Sequence, residues 1–276
     1  MLQNDIRANV GKTLEWRAAM WPIGIVGHLK PGWEDADKIA ARLRRFFENL
    51  AEADPVFSCW RRAGTTRHRS RVPLLITMPT KQAEFRLWVE ENPVLGARNG
   101  RKAIYGYALR TLTVEENPFG ATFRLSFVPA DWWFGHRIDL AIFSRPGSPS
   151  PVADPSNHKH LIALLRRMLL IAATAWDCDW AGVMSGDYRQ GRRSPQLIEY
   201  QGGWMVYLAA APASRIDPPQ DVAIEKLADG AMLLTAATDG MFNGQNASHM
   251  AAAWRIQAAL NPLNAVNELE TRQAKE

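Results

Sequence analysis

The spacing of apolar residues divides much of the chain into helices. Ile39, Leu43, Phe46, Phe47 and Leu50 recur at i, i+4, i+7, i+8 and i+11, one stripe at helical period. Glu34, Asp35 and Asp37 precede or open that stripe as an acidic first turn, favourable at the positive end of a helix dipole. The helix should end near Asp54-Pro55, because a proline biases the residue before it out of the helical region. A second helix is predicted from Pro79-Thr80 through Trp88 and Val89, closing before Asn92-Pro93. Residues 161–176 are apolar nearly all round except Arg166 and Arg167, the mark of a central helix packed on more than one side. A last helix is expected over 247–260, stopping before Asn261-Pro262, with a tail that is frayed or a short extra helix.

Other segments alternate at period two. Residues 14–20 and 23–28 read as short strands around Trp21-Pro22, followed by a turn at Pro31-Gly32-Trp33. Residues 105–113, 122–128 and 137–143 read as an antiparallel meander, with Phe123, Leu125 and Phe127 on one face and a turn at Asn117-Pro118-Phe119-Gly120. Further strands are expected at 180–185, 203–209 and 231–238. Helices followed by runs of strands argue for an α+β fold, antiparallel sheet meanders packed with helices, rather than an alternating βαβ fold. Four prolines and a glycine between residues 145 and 156 form the clearest linker-like segment. The chain therefore reads as one domain over 1–276, with a division into two α+β subdomains near 145–156. No repeat of fixed period underlies the two parts.

Composition narrows the class. With 276 residues, 47% hydrophobic and 22% charged, the chain is neither disordered nor collagen-like. Its size would let a compact form bury about 73% of the unfolded chain's surface. Its longest strongly apolar uncharged run, residues 168–176, is nine residues, short of the roughly 20 that a transmembrane helix needs, so no membrane span is expected. The N-terminal stretch carries Asp5 and Arg7 and lacks an apolar core, which is not a secretory signal and points to the cytoplasm. Cys59 and Cys178 sit in apolar settings and read as buried free thiols. The formal charge of +5 is mild, but it is uneven: residues 1–138 hold 21 basic and 14 acidic side chains, and residues 139–276 hold 12 and 14. Faces of opposite sign are expected.

Candidate chemistry is sparse. Neither a G-x-G-x-x-G nor a G-x-x-x-x-G-K-[ST] loop occurs, which removes the common nucleotide-binding routes. Ser185 in Gly182-Val183-Met184-Ser185-Gly186 is one position out of register with a nucleophile elbow. His158 and His160, two apart at a helix entrance, point to different sides and suit capping or solvent better than a metal. Asp177 and Asp179 resemble a carboxylate pair for metal or acid-base work. Carboxylates at a helix C-terminus are electrostatically unfavourable, so the pair marks either a site or a pairing with a neighbouring arginine. A metal-dependent hydrolase built on Asp177, Asp179 and a histidine is the enzyme alternative. Arg61, Arg62, Arg67, His68, Arg69 and Arg71, with Gly64-Thr65-Thr66 among them, read as a solvated basic loop. Trp60 could stack a base beside it, yet residues 67–71 hold no aromatic, so nucleic acid is not the expected partner. Asp131-Trp132-Trp133-Phe134 clusters three large aromatics of the kind that anchor interfaces.

Several segments together resemble the immunity protein 52 family, predicted antidotes to polymorphic toxins passed between bacteria. They are the helix over 36–53 running into Asp54-Pro55-Val56-Phe57 and Trp60, the Met78-Pro79-Thr80 helix entry, and Tyr105-Gly106-Tyr107. They continue with Ala175-Trp176-Asp177-Cys178-Asp179-Trp180-Ala181, Gly203-Trp204-Met205-Val206-Tyr207-Leu208, and Asp229-Gly230-Ala231-Met232 with Phe242 and His249. The resemblance spans about residues 20 to 260. It implies an α+β protein without catalysis, cofactor or metal that binds and blocks a cognate toxin. In such systems the toxin carries a restriction-endonuclease-like domain and is often exported by a type VI secretion apparatus.

A nuclease face holds phosphates and metal, so an inhibitor covering it should present carboxylates. The candidate toxin-binding residues are Asp177, Asp179 and Asp187 from the more acidic half, Glu115 and Glu116, and Trp132 and Trp133 as aromatic anchors. A non-catalytic adaptor of a secretion cluster is the remaining alternative.

Overall fold

The structure is a computed structural model that describes residues 23–29, 35–63, 75–98, 101–113, 119–127, 137–144, 155–185, 188 and 200–273. The expected strand at 14–20, the turn at Pro31-Gly32-Trp33 and most of the linker-like segment lie outside these residues.

The first half contributes β1 (Ile23–Leu29), α1 (Ala36–Ala53), β2 (Trp60–Ala63), β3 (Leu75–Thr77), α2 (Gln82–Glu90), β4 (Pro93–Arg98), β5 (Arg101–Thr113), β6 (Phe119–Phe127) and β7 (Arg137–Ser144). The second half contributes α3 (His158–Ala175), β8 (Cys178–Ser185), β9 (Met205–Leu208), the single-turn α4 (Ala210–Ala213), β10 (Ala223–Lys226), β11 (Met232–Thr235) and α5 (Ala247–Gln273). The eleven strands make one sheet in the order β10-β11-β9-β8-β1-β7-β6-β5-β2-β3, with β4 also paired to β5. Every pairing is antiparallel.

The α+β expectation therefore holds, and strands from both sides of residues 145–156 join in the same sheet. The joint is β1, which pairs with β7 along one edge and β8 along the other. Its sequence Ile-Gly-Ile-Val-Gly-His-Leu has a nearly continuous buried pattern, as a central strand requires. Gly27 allows the close approach here, since a Cβ at that position would meet Ile138 Cγ2 at 2.8 Å and Cys178 Sγ at 3.0 Å.

The helix α1 forms as its pattern predicts. The Asp35 side chain accepts from the Lys38 amide at 2.8 Å, an N-cap, and Asp54 ends the helix in extended backbone ahead of Pro55. Its stripe Ile39, Leu43, Phe46, Phe47 and Leu50 is buried. With α3 it covers the face of the sheet that carries Ile23, Ile25, Phe123, Leu125, Ile138, Leu140, Cys178, Ala181 and Tyr207. Phe46 packs on Phe123 and Trp176, with ring centroids at 4.9 and 5.9 Å.

The other face is covered by α5 over the second-half strands. There Ile256, Leu260 and Leu263 meet Val26, Trp180, Met184, Val206, Leu208, Met232 and Leu234. On β6 and β7 the same face carries Arg124 and Asp139, cross-strand partners that are only half-buried. Period-two alternation thus sends one set of second-half residues to α3 and the other to α5.

Four details differ from the sequence reading. Arg61 and Arg62 belong to strand β2 through pairing with β5, and Phe119 and Gly120 belong to β6 through pairing with Ser144 and Phe143 of β7, so both strands extend into segments whose residues suggest loops. Helix α5 runs through Pro262 to Gln273. The proline is exposed, while Leu260 and Leu263 are buried on either side of it. Asn264 also clamps Tyr200 by accepting its amide N–H at 2.9 Å and donating to its carbonyl at 2.9 Å. Tertiary anchoring on both sides outweighs the one backbone hydrogen bond that the proline removes. Finally, both cysteines are free, but only Cys178 is buried and Cys59 is half-exposed.

Candidate functional site

The end of α3 is unusual. Trp176 donates its amide to the Ala172 carbonyl, and Asp177 then takes φ 47°, the left-handed conformation that closes many helices. Glycine usually occupies that position, because any other L-residue costs roughly 1–2 kcal/mol there. Here a carboxylate is kept, with its side chain 61% exposed, and Arg42 Nη2 from α1 meets its Oδ2 at 2.8 Å. The pairing resolves half of the sequence question: Asp177 has an arginine neighbour that offsets its unfavourable place at a helix C-terminus.

Asp179 follows on β8, half-buried, and its carbonyl accepts from the Ala209 amide at 3.0 Å, which ties the start of β8 to the end of β9. The β10–β11 hairpin ends at the same place. Leu227 and Ala231 close it, Asp229 Oδ1 accepts from the Ala231 amide at 3.0 Å, and Gly230 supplies φ 83°. Tyr207, on β9 opposite Ala181 of β8 and Leu233 of β11, is the common neighbour. Burial pushes its phenol up from its ordinary value, and the carboxylates of Asp229, Asp177 and Asp179 push it the same way. The corner therefore joins carboxylates from a helix end, a strand and a hairpin around one phenol.

Of the residues proposed from sequence, the structure brings together Asp177 and Asp179; Asp187, Glu115, Glu116, Trp132 and Trp133 lie outside the described residues. So do Arg67, His68, Arg69 and Arg71. The described part of the basic segment is built into the fold, with Arg61 Nη1 donating to Thr77 Oγ1 at 2.7 Å and Arg62 Nη1 paired with Glu91 at 3.1 Å. His160 meets Asp54 at 3.1 Å on the surface, and Ser185 is buried where its hydroxyl accepts the Tyr188 amide. Among the described residues no three His, Cys, Asp or Glu side chains are placed to hold a metal ion. No helix among them is long and apolar enough to cross a membrane.

Sequence reasoning missed Arg42, Tyr207 and Asp229 as members of the corner. An Asp-Gly turn and a strand ending in Tyr-Leu were visible, but which strand ends meet depends on the pairing order.

A second concave region lies across α1. Arg44, Phe47, Glu48 and Ala51 wall a groove of about 470 Å³ whose far side is Cys59, Trp60, Arg61, Thr77 and Met78. Its floor is a ring cluster: Trp60 lies edge-on to Phe47 at 5.3 Å and stacked on Phe57 at 5.9 Å. Trp60 Nε1 is buried without a hydrogen-bond partner among the described residues.

Comparison with known proteins bears on the second half. The Pseudomonas aeruginosa T6SS protein PA0821 is a solved structure similar to this chain, with a TM-score of 0.48 and 11% identity over 87% of this chain and 72% of that one. No curated protein matches the chain in sequence. The family described as Immunity protein 52 matches residues 156–267, so the motifs quoted above from the first half fall outside the match. Over that stretch, which folds as α3, β8 to β11 and most of α5 and holds Asp177, Asp179, Tyr207 and Asp229, the chain is similar to the Immunity protein 52 family.

Proposed function

We propose that this protein is an immunity protein that binds and neutralises a cognate nuclease-type toxin, without catalysis of its own, in the cytoplasm of the cell that makes both. The toxin on this reading carries a restriction-endonuclease-like domain and travels by type VI secretion. The observation that carries the reading is the coincidence of the immunity-family match with the acidic corner it contains. Asp177 supports a role in binding, since the fold keeps an exposed carboxylate at a backbone position where glycine would be cheaper.

The chemistry suits such a partner. A nuclease face that grips phosphates is cationic, and carboxylates steer its approach and pair with it at contact. The net charge of +5 does not oppose this, because the corner sets the local field. Asp177 and Asp179 are the proposed toxin contacts in the described residues, and Asp187, Glu115, Glu116, Trp132 and Trp133 remain proposed contacts beyond them.

The test is survival of a bacterial host expressing the toxin gene found beside this one, with and without this protein, followed by co-purification. Rescue with a stable complex is expected. Failure of both for that toxin would remove the reading.

A further inference from the structure

His249 stands in the first turn of α5 and is 6% exposed, and toxin binding at the acidic corner makes no use of it. Its ring is bonded on both sides. The Asn243 amide nitrogen lies 3.1 Å from Nδ1, and Asp239 Oδ1 lies 3.0 Å from Nε2. A backbone amide only donates, so Nδ1 carries no proton and accepts. The single N–H of the neutral imidazole is then at Nε2, donated to Asp239.

These two bonds hold one piece of chain. β11 leads away from the Asp229 turn, and beyond it the chain is fastened to Trp204. The Ala236 amide donates to the Trp204 carbonyl at 2.8 Å, and the Ala237 carbonyl accepts from the Trp204 indole at 3.0 Å. From residue 238 to the turn at Asn243, the described hydrogen bonds to α5 both end on His249. That segment carries Phe242, buried against Trp204 and Tyr188 with ring centroids at 6.5 and 6.2 Å. It also has room to move, since a Cβ at Gly240 would meet nothing within 4 Å.

Protonation acts on the two bonds unequally. An imidazolium donates from both nitrogens, so Nε2 keeps Asp239, whereas a proton on Nδ1 would face the Asn243 N–H, donor against donor. The charged side chain paired with the ring among the described residues is Asp239, from the segment itself. Its own helix adds the positive end of the α5 dipole, and the Phe242 ring, 5.8 Å away, adds no charge.

We propose that His249 is a proton-operated latch. Neutral, it clasps residues 239–243 to α5 at two points. On acidification it releases Asn243 and keeps Asp239, which frees the turn carrying Phe242 at the end of β11 opposite the Asp229 turn. The latch stands or falls independently of the toxin-binding reading.

The test is NMR of the full chain labelled with nitrogen-15, reading the His249 ring nitrogens and amide exchange protection from about pH 7.5 to about 5.5, the range in which imidazole ordinarily changes charge. At the upper end the expected state is a bare Nδ1, a protonated Nε2 and a protected Asn243 amide. Toward the lower end, protection of Asn243 should fall at least fivefold along the same curve as the ring signal, while the Ala236 amide keeps its protection. In His249→Phe, which keeps a ring and loses both bonds, the Asn243 amide should be unprotected at either pH. A proton on Nδ1 at the upper end, an Asn243 protection that does not follow the ring, an equal loss at Ala236, or a protected Asn243 in His249→Phe would overturn the latch. Should His249→Phe fail to fold, the wild-type curve decides by itself.

Discussion

The two sides of α1 differ in what the fold does with polar groups. Toward the groove, the described charges are matched locally: Arg44 lies 3.6 Å from Glu48, and Arg61 donates to Thr77. The space between is floored by rings packed on each other. Toward the corner, burial first and then the neighbouring carboxylates push one phenol, Tyr207, up from its ordinary value. Concavity alone therefore does not mark a recognition surface in this molecule. An excess of negative charge, gathered from a helix end, a strand and a hairpin and only partly offset by Arg42, marks it better.

Replacing the residue that belongs to the groove's floor and to the core should have the largest effect. Phe47→Ala removes contacts with Phe46, Trp60, Phe85 and Phe123 and should cost about 3–5 kcal/mol in denaturant unfolding. A loss below about 1 kcal/mol would show that the floor is not part of the core.

Charge reversal at the corner comes next, read in binding and not in stability. Asp177→Arg combined with Asp179→Arg should weaken toxin binding about 100-fold, or about 2.7 kcal/mol, by calorimetry, while Arg44→Glu in the groove leaves it within about twofold. The reverse ranking would move the interface to the groove.

A smaller effect separates the corner by pH. Because the folded-state phenol of Tyr207 is raised by burial first and then by its acidic neighbours, the unfolded chain releases that proton first as pH climbs past about 10. Stability should therefore be unaffected by this group below pH 10 and fall above it, and Tyr207→Phe should lose less between pH 10 and 11 in parallel thermal melts. Identical pH profiles would place the phenol outside the acidic field.

The smallest effect is the most discriminating. Asp177→Gly relieves left-handed strain of about 1–2 kcal/mol and loses an exposed ion pair of under about 1 kcal/mol, so unfolding stability should hold or rise by about 1 kcal/mol. Toxin affinity should still fall about tenfold. A variant that is destabilised by more than 2 kcal/mol would make Asp177 a structural residue.

Much of the fold was legible along the chain. The stripe of α1, the near-uniform apolarity of α3 and the alternation of β6 and β7 each follow from one period matching one buried surface. Strand β10 was not legible, since all four residues are exposed and no buried face imprints a pattern on them. The continuation of α5 past Pro262 was hidden for the opposite reason, because what holds it is Leu263 and Asn264 meeting the rest of the molecule. Half of the site was visible as Asp177 and Asp179, two residues apart after a helix.

By itself the sequence determined the type of each strongly patterned element, the α+β class and a resemblance to an immunity family. These depend on local periodicity and on motifs contiguous in the chain. Only the tertiary structure decided that β1 joins the two halves in one sheet, that Arg42 meets Asp177 from 135 positions away, and that Tyr207 and Asp229 share a corner with Asp179. Strand order and helix docking arise from pairings between distant segments, and hydrophobic periodicity says which face a residue takes but not which neighbour it will find there.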